Sequence, residues 1–188
     1  MTYACDERRT GNLLGALALA GAERVGGAAE AATGRPPSDT AALVALATAL
    51  NGASQDVLGR VLGLTQSGSV RLVDRLVRDG LVERRSGHDG RTLAIVITAT
   101  GADAARSALQ ARQATNDALL AALDDHERDQ LTVLLEKLLA GLTGSRTDAY
   151  RICRLCDPEA CGHPVGRCPV TRAADRAEAA AEEARGPS

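Results

Sequence analysis

The sequence predicts a mainly α fold that carries one small β-hairpin, an α+β arrangement, and three observations lead there. Apolar residues recur at helical spacing over long stretches, as in Leu13, Leu14, Leu17 and Ala18 and again in Leu131, Leu134, Leu135 and Leu138. The apolar fraction is 45%, yet there is no Phe or Trp and only two Tyr, so the core is built from Ala, Leu and Val. Such a core suits closely packed helices better than a β-sandwich. Third, residues 54–97 read as a short helix, a glycine turn, a second helix, and two strand-like runs around a charged tip.

Taken in order, the first helix is expected over 10–32, ending before Gly34 and Pro36-Pro37. Ser38 or Asp39 is positioned to cap a second helix carrying Leu43, Val44, Leu46, Ala47 and Leu50, which Asn51-Gly52 ends. Ser54 caps a third with Val57, Leu58, Val61 and Leu62 inward, closed by Gly63. Thr65 caps the fourth, where Val70, Val73, Leu76 and Val77 form the expected buried stripe, and Gly80 stops it. Residues 81–85 and 92–97 are strand-like around the turn formers of 86–90. Thr100-Gly101 opens a long helix to about 123, and Asp124 with Glu127 has capping-box spacing for another. A cysteine-rich segment occupies 150–170, and 171–185 is Ala/Glu/Arg-rich, compatible with helix or tail.

At 188 residues the chain holds one domain, with room for a small appendage. The net charge of −2 does not suggest a polyanion binder, but its distribution does. Residues 54–91 carry seven arginines against five acids, which leaves −4 for the remainder. Arg8-Arg9 ahead of an apolar run loosely imitates a secretory leader, but Asp6 and Glu7 spoil a positive start and Glu23-Arg24 follow at once. The run reads as an amphipathic helix. No apolar stretch reaches the ~18 residues that span a bilayer. The expectation is a cytoplasmic protein with no membrane partner.

In the fourth helix the predicted stripe leaves Gln66, Ser67, Arg71, Asp74, Arg75 and Arg78 outward. Gln66, Ser67 and Ser69, near the helix N-terminus, suit hydrogen bonds to base edges or phosphates. Arg71 and Arg75, one turn apart, suit guanine or backbone contacts. A helix-turn-helix followed by a charged hairpin is a form in which small domains meet double-stranded DNA. The bland alternative for this face is a solvated basic surface.

The segment LGLTQSGSVRLVDRLVRDGLVERRSGHDGRTLAIVITATG resembles the winged helix-turn-helix of MarR-family transcriptional regulators. The shared features are the glycine-ended recognition helix with Gly80-Leu81-Val82-Glu83-Arg84, the wing motif Asp89-Gly90-Arg91, and Ile97-Thr98-Ala99-Thr100-Gly101 leading into the next helix. The resemblance covers about 38–142. It implies that Arg91, oriented by Asp89, enters the minor groove, where narrow grooves attract Arg. It also implies a homodimer of interlocked terminal helices on a pseudo-palindromic operator, most often as a repressor, with a small-molecule effector. The expected division is 1–37 (dimerisation helix), 38–99 (winged helix-turn-helix), 100–146 (dimerisation helices), 147–170 (cysteine segment) and 171–188 (tail).

Cys153, Cys156, Cys161 and Cys168 have C-x2-C-x4-C-x6-C spacing, with His163 inside the last interval. Gly, Pro and charges surround them, so there is little core to bury them, and a reducing compartment disfavours a standing disulfide framework. Four thiolates make a soft-cation site. Zinc ranks first, with His163 as a substitute ligand, an iron–sulfur cluster second and a thiol redox switch third. The MarR pattern does not cover this segment. Cys5, His88 and His126 carry no assigned role. No phosphate-binding Gly loop and no Ser/His/Asp constellation occur, so an enzyme is not expected. The class-distinct alternative is a metal or redox sensor module acting mainly through protein partners.

Overall fold

The structure, a computed structural model, describes residues 7–87 and 92–185. Its elements run α1 (Glu7–Thr33), α2 (Pro37–Ala45) continuing into a π-helical turn (Leu46–Leu50), α3 (Gln55–Leu62), α4 (Gln66–Arg78), β1 (Val82–Ser86), β2 (Leu93–Ile97), α5 (Ala99–Leu120), α6 (Asp125–Gly141), α7 (Arg146–Cys153) and α8 (Pro169–Arg185). The mainly α fold with a winged hairpin stands as the sequence predicts.

The helix-turn-helix is set by its caps. The Ser54 hydroxyl accepts from the Val57 N–H at 3.4 Å, and the Thr65 hydroxyl from the Gly68 N–H at 3.1 Å. Between them Gly63 sits at φ 67°, a left-handed position that L side chains rarely adopt, so the chain turns at the end of α3 without strain. The two helices cross closely because α3 presents Gly59: a Cβ there would lie 3.0 Å from the Ser69 Cβ.

In the wing, β1 and β2 pair antiparallel, Val82 opposite Ile97 and Ser86 opposite Leu93. The 52–54 stretch adds a short third edge to β2, through Gly52 N–H to Ile95 carbonyl at 2.8 Å and Ile95 N–H to Ala53 carbonyl at 2.9 Å. The first turn of α5 abuts the start of the wing, where a Cβ on Gly101 would stand 2.1 Å from the Leu81 carbonyl oxygen. Only glycine fits that approach.

Leu43, Leu46, Leu58, Leu76 and Ile95 are fully buried and join α2, α3, α4 and the wing into one core. α1 lies along α5, also touching α2. Two long faces stay uncovered: Leu13, Leu14, Leu17 and Leu19 on α1, and Val133, Leu134, Leu135 and Leu138 on α6. α6 has no buried residue at all.

Two expectations are corrected, and a stretch left open between helix and tail is a helix. α2 begins at Pro37, with Pro36 in the cap position and no side-chain cap, because a proline in the first turn has no N–H to satisfy. Neither Ser38 nor Asp39 caps it. α5 begins at Ala99, capped by Thr98, whose hydroxyl accepts from the Gly101 N–H at 3.1 Å and donates to the Gly80 carbonyl at 2.8 Å. Residues 169–185 form α8, which packs back on α6 and α7, so most of the expected tail is part of the cysteine unit.

Candidate DNA-reading surface and cysteine cavity

The inward stripe of α4 is Ser69, Leu72, Val73 and Leu76, one position round from the predicted stripe. Val77 is half-buried and Val70 is 37% exposed, so Val70 joins the outer face. Gln66, Ser67 and Arg71 are exposed on that face as expected. Ser69 is not. It is 2% exposed and its hydroxyl donates to the Gln66 carbonyl at 2.8 Å, so it serves the close α3–α4 crossing. The signal for this was Gly59, whose missing side chain pulls the two helices together.

Arg75 is also reassigned. Its Nε and Nη2 donate to the two carboxylate oxygens of Asp39 at 2.8 and 2.5 Å, and Asp39 is fully buried. The pair ties α4 to α2, and the hydrogen bond to Asp39 raises the Arg75 pKa above its ordinary value despite partial burial. Arg35–Asp79 and Arg84–Asp74, at 2.7 and 2.6 Å, pin further arginines around the same helix. Among the described residues Arg71 has no ion-pair partner. Asp89 and Arg91, with His88, lie outside the described residues.

The four cysteines come together. Cys153 ends α7, Cys156 follows in the next turn, and Cys161 and Cys168 close the loop before α8. All are reduced and line one cavity of about 320 Å³, which Tyr150 and His163 also border, with Thr48 and Ala49 of the π-helical turn. They sit as two pairs. Cys161 Sγ lies 3.6 Å from Cys168 Sγ, and Cys153 and Cys156 share a tight turn in which the Cys156 N–H donates to the Cys153 carbonyl at 2.8 Å. Among the described residues no three Cys, His, Asp or Glu donors are grouped as a single ion requires.

Each pair holds one favoured thiolate. The hydrogen bond from Cys153 lowers the Cys156 thiol to about 6 against the burial that opposes it, and the Arg112 guanidinium adds to the effect. Cys153 is raised, by that same hydrogen bond first and by burial second. Burial pushes Cys161 up to about 12, with the Cys168 neighbour adding to it. Burial would also raise Cys168, but hydrogen bonds from the Thr171 hydroxyl, the Thr171 and Val170 N–H groups at the start of α8, and Cys161 outweigh it, so Cys168 is lowered. His163 turns its Nδ1 to the Thr171 hydroxyl at 2.9 Å.

The cysteine unit docks on the reader. α7 packs against α3, and Tyr150 and Leu155 join the edge of the main core. Arg112 of α5 donates to the Leu155 carbonyl. The Arg151 guanidinium lies 3.4 Å from where a Cβ of Gly63, the turn glycine, would sit.

A helix-turn-helix with capped elements, an exposed polar reading helix and a paired wing defines a winged-helix DNA-binding protein. Residues 33–92 match the model of the MarR family, and the winged helix-turn-helix of that stretch is of the MarR type. The chain is similar to a probable transcriptional regulator from Pseudomonas aeruginosa, at 28% identity over 66% of this chain and 95% of that one, TM-score 0.51. CouR from Rhodococcus jostii RHA1, solved bound to p-coumaroyl-CoA, is 25% identical over 69% and 90%, TM-score 0.52. MepR, a regulator of the Staphylococcus aureus multidrug efflux pump MepA, shares the fold at 19% identity over 70% and 96%, TM-score 0.60. No curated protein matches the chain. Among the described residues no helix is long and apolar enough to cross a membrane.

Proposed function

We propose that this regulator is a homodimeric repressor of the cytoplasm that binds a pseudo-palindromic operator and releases it in response to an input at its cysteine unit. The observation that carries the reading is the outer face of α4. Gln66, Ser67, Val70 and Arg71 stand exposed there while Arg75, Arg84 and Arg35 are tied to Asp39, Asp74 and Asp79. Arg71 suits guanine or phosphate, Gln66 and Ser67 base edges, and Val70 a thymine methyl. From the family resemblance, Asp89 and Arg91 take the adjacent minor groove.

The uncovered leucines of α1 and α6 support the dimer, because apolar stripes of that length on two long helices are interface more often than free surface. A dimer sets two copies of α4 at half-sites about one helical turn apart. An input shifts this dimer between DNA-fitting and non-fitting states only through its different affinity for the two. The four cysteines are the input with named residues. A small organic effector is a second, supported by the p-coumaroyl-CoA bound to CouR.

The test is selection of operator DNA from a random-sequence pool by the full chain, followed by affinity measurement across a salt series. Two chains per site and log K falling linearly with log salt are expected, since neutralised phosphates release counterions. Arg71→Ala should weaken specific binding by about fivefold to a hundredfold or so, from the ~1–3 kcal/mol of a base-reading arginine. Failure to enrich any sequence, with the cysteines both loaded and stripped, overturns the reading.

A further inference from the structure

We propose that Cys153, Cys156, Cys161 and Cys168 ligate a binuclear iron–sulfur cluster, Cys153 and Cys156 on one iron and Cys161 and Cys168 on the other. This rests on reading the cysteine unit as the regulator's input, and it names the chemistry of that input.

Three observations carry it. The first is the donor set: four reduced thiols around a single cavity of about 320 Å³, with His163 turned to Thr171. Four thiols and no committed nitrogen or oxygen donor select thiophilic metals.

The second is their division into two pairs. A mononuclear zinc at about 2.3 Å from four thiolates makes all six S···S edges equal, at about 3.8 Å. In a binuclear cluster each tetrahedral iron carries two terminal thiolates and shares two bridging sulfides with its neighbour. The short edge then exists only within each pair. Here the Cys161–Cys168 edge is 3.6 Å, and a tight turn, Cys156 N–H to Cys153 carbonyl at 2.8 Å, holds Cys153 and Cys156 side by side, while among the described residues no three donors are grouped for one ion. The pairing also excludes a good fit to a cubane cluster, which holds all four thiolates apart on four irons.

The third is the poverty of the unit's own core. Ala149, Cys168, Val170, Ala173 and Ala174 are its buried apolar residues, with Leu139, Ile152, Cys153 and Cys161 partly buried around them. A unit that small needs a cross-link, and a cluster bridging α7, the loop and the start of α8 supplies one. The cluster with four thiolates carries net negative charge, and Arg112 reaches the Cys156 side from α5 to offset it.

The full chain is purified without oxygen and, separately, rebuilt from stripped protein with ferric iron and sulfide. The expected product is coloured, with charge-transfer absorption in the visible, about two irons and two acid-labile sulfides per chain, and a half-integer spin signal after one-electron reduction. Cys153→Ser and Cys161→Ser should each lose most of the iron, whereas Cys5→Ser retains it. A colourless protein with about one zinc per chain overturns the proposal, and so does about four irons per chain. Because a serine variant can unseat α8, the wild-type iron and sulfide count decides on its own. DNA affinity measured in parallel separates the two readings. A cluster that leaves affinity unchanged supports the ligation and sinks the cysteine input, while no cluster but zinc-dependent DNA binding does the reverse.

Discussion

The helix-turn-helix reader and the cysteine unit of this protein are held together by different means. The reader closes on Leu43, Leu46, Leu58, Leu76 and Ile95, all fully buried and drawn from four elements. The cysteine unit buries only small apolar residues, Ala149, Val170, Ala173 and Ala174, beside the Cys168 thiol. Area removed from water stabilises by roughly 25 cal/mol per Å², so leucines sustain the reader and alanines leave the other unit dependent on its thiols. The two meet at α7, where Tyr150 and Leu155 reach the reader's core and Arg151 lies over Gly63. With so little apolar packing of its own, the cysteine unit would lean more or less firmly on that turn as its thiols gain or lose a bound group.

The sharpest way to break this comparison is from the reader's side. Leu76 is fully buried in α4, and Leu76→Ala should cost about 2–5 kcal/mol in denaturant unfolding of the main core. In the chain loaded with metal at the cysteines, metal release should keep its own midpoint, unmoved by the substitution. Release that shifts together with the unfolding of the main core would mean that the two regions are one cooperative block.

The tie between α2 and α4 comes next. Asp39 is fully buried, but the Arg75 side chain is 37% exposed. Removing the carboxylate therefore frees a guanidinium that can swing into water instead of stranding it. Asp39→Asn is expected to cost about 1–3 kcal/mol, less than breaking a fully buried pair. It also adds a loose cation to the DNA-facing side, so non-specific DNA affinity should rise as stability falls. Unchanged stability would show that Arg75 is held by packing alone.

How legible all this was in the sequence follows from the same division. The caps at Ser54 and Thr65, the glycine turns and the capping box at Asp124 are local signals, and the structure has them where the sequence places them. The face of α4 was misread by one position because Val70 and Ser69 compete for the core, and the winner is set by Gly59 on another helix. Arg75 read as a DNA contact because its partner lies 36 residues away, beyond any helical period. The cysteine spacing announced a shared site, yet the pairing within it depends on how the loop between Cys156 and Cys168 folds back. The α8 assignment was open because an Ala/Glu/Arg-rich stretch is helical only when something receives its apolar side. Here α6 and α7 do.

The smallest expected effect probes that last point. Ala174 is fully buried in α8, within the cysteine unit's small core. Ala174→Gly removes one methyl and loosens a helix interior, which costs about 1 kcal/mol from propensity. In the reader such a change would be minor against a leucine core. In the cysteine unit it is a large share of what apolar packing supplies, so amide exchange across α8 should quicken about fivefold, from that 1 kcal/mol at about 0.6 kcal/mol per e-fold, while α4 keeps its protection. If the metal centre is the main cross-link, loading it should erase most of the difference between the variant and the parent chain. Equal acceleration with and without metal would instead place the unit's stability in its packing against α6 and α7, and the contrast between the two regions would be one of size alone.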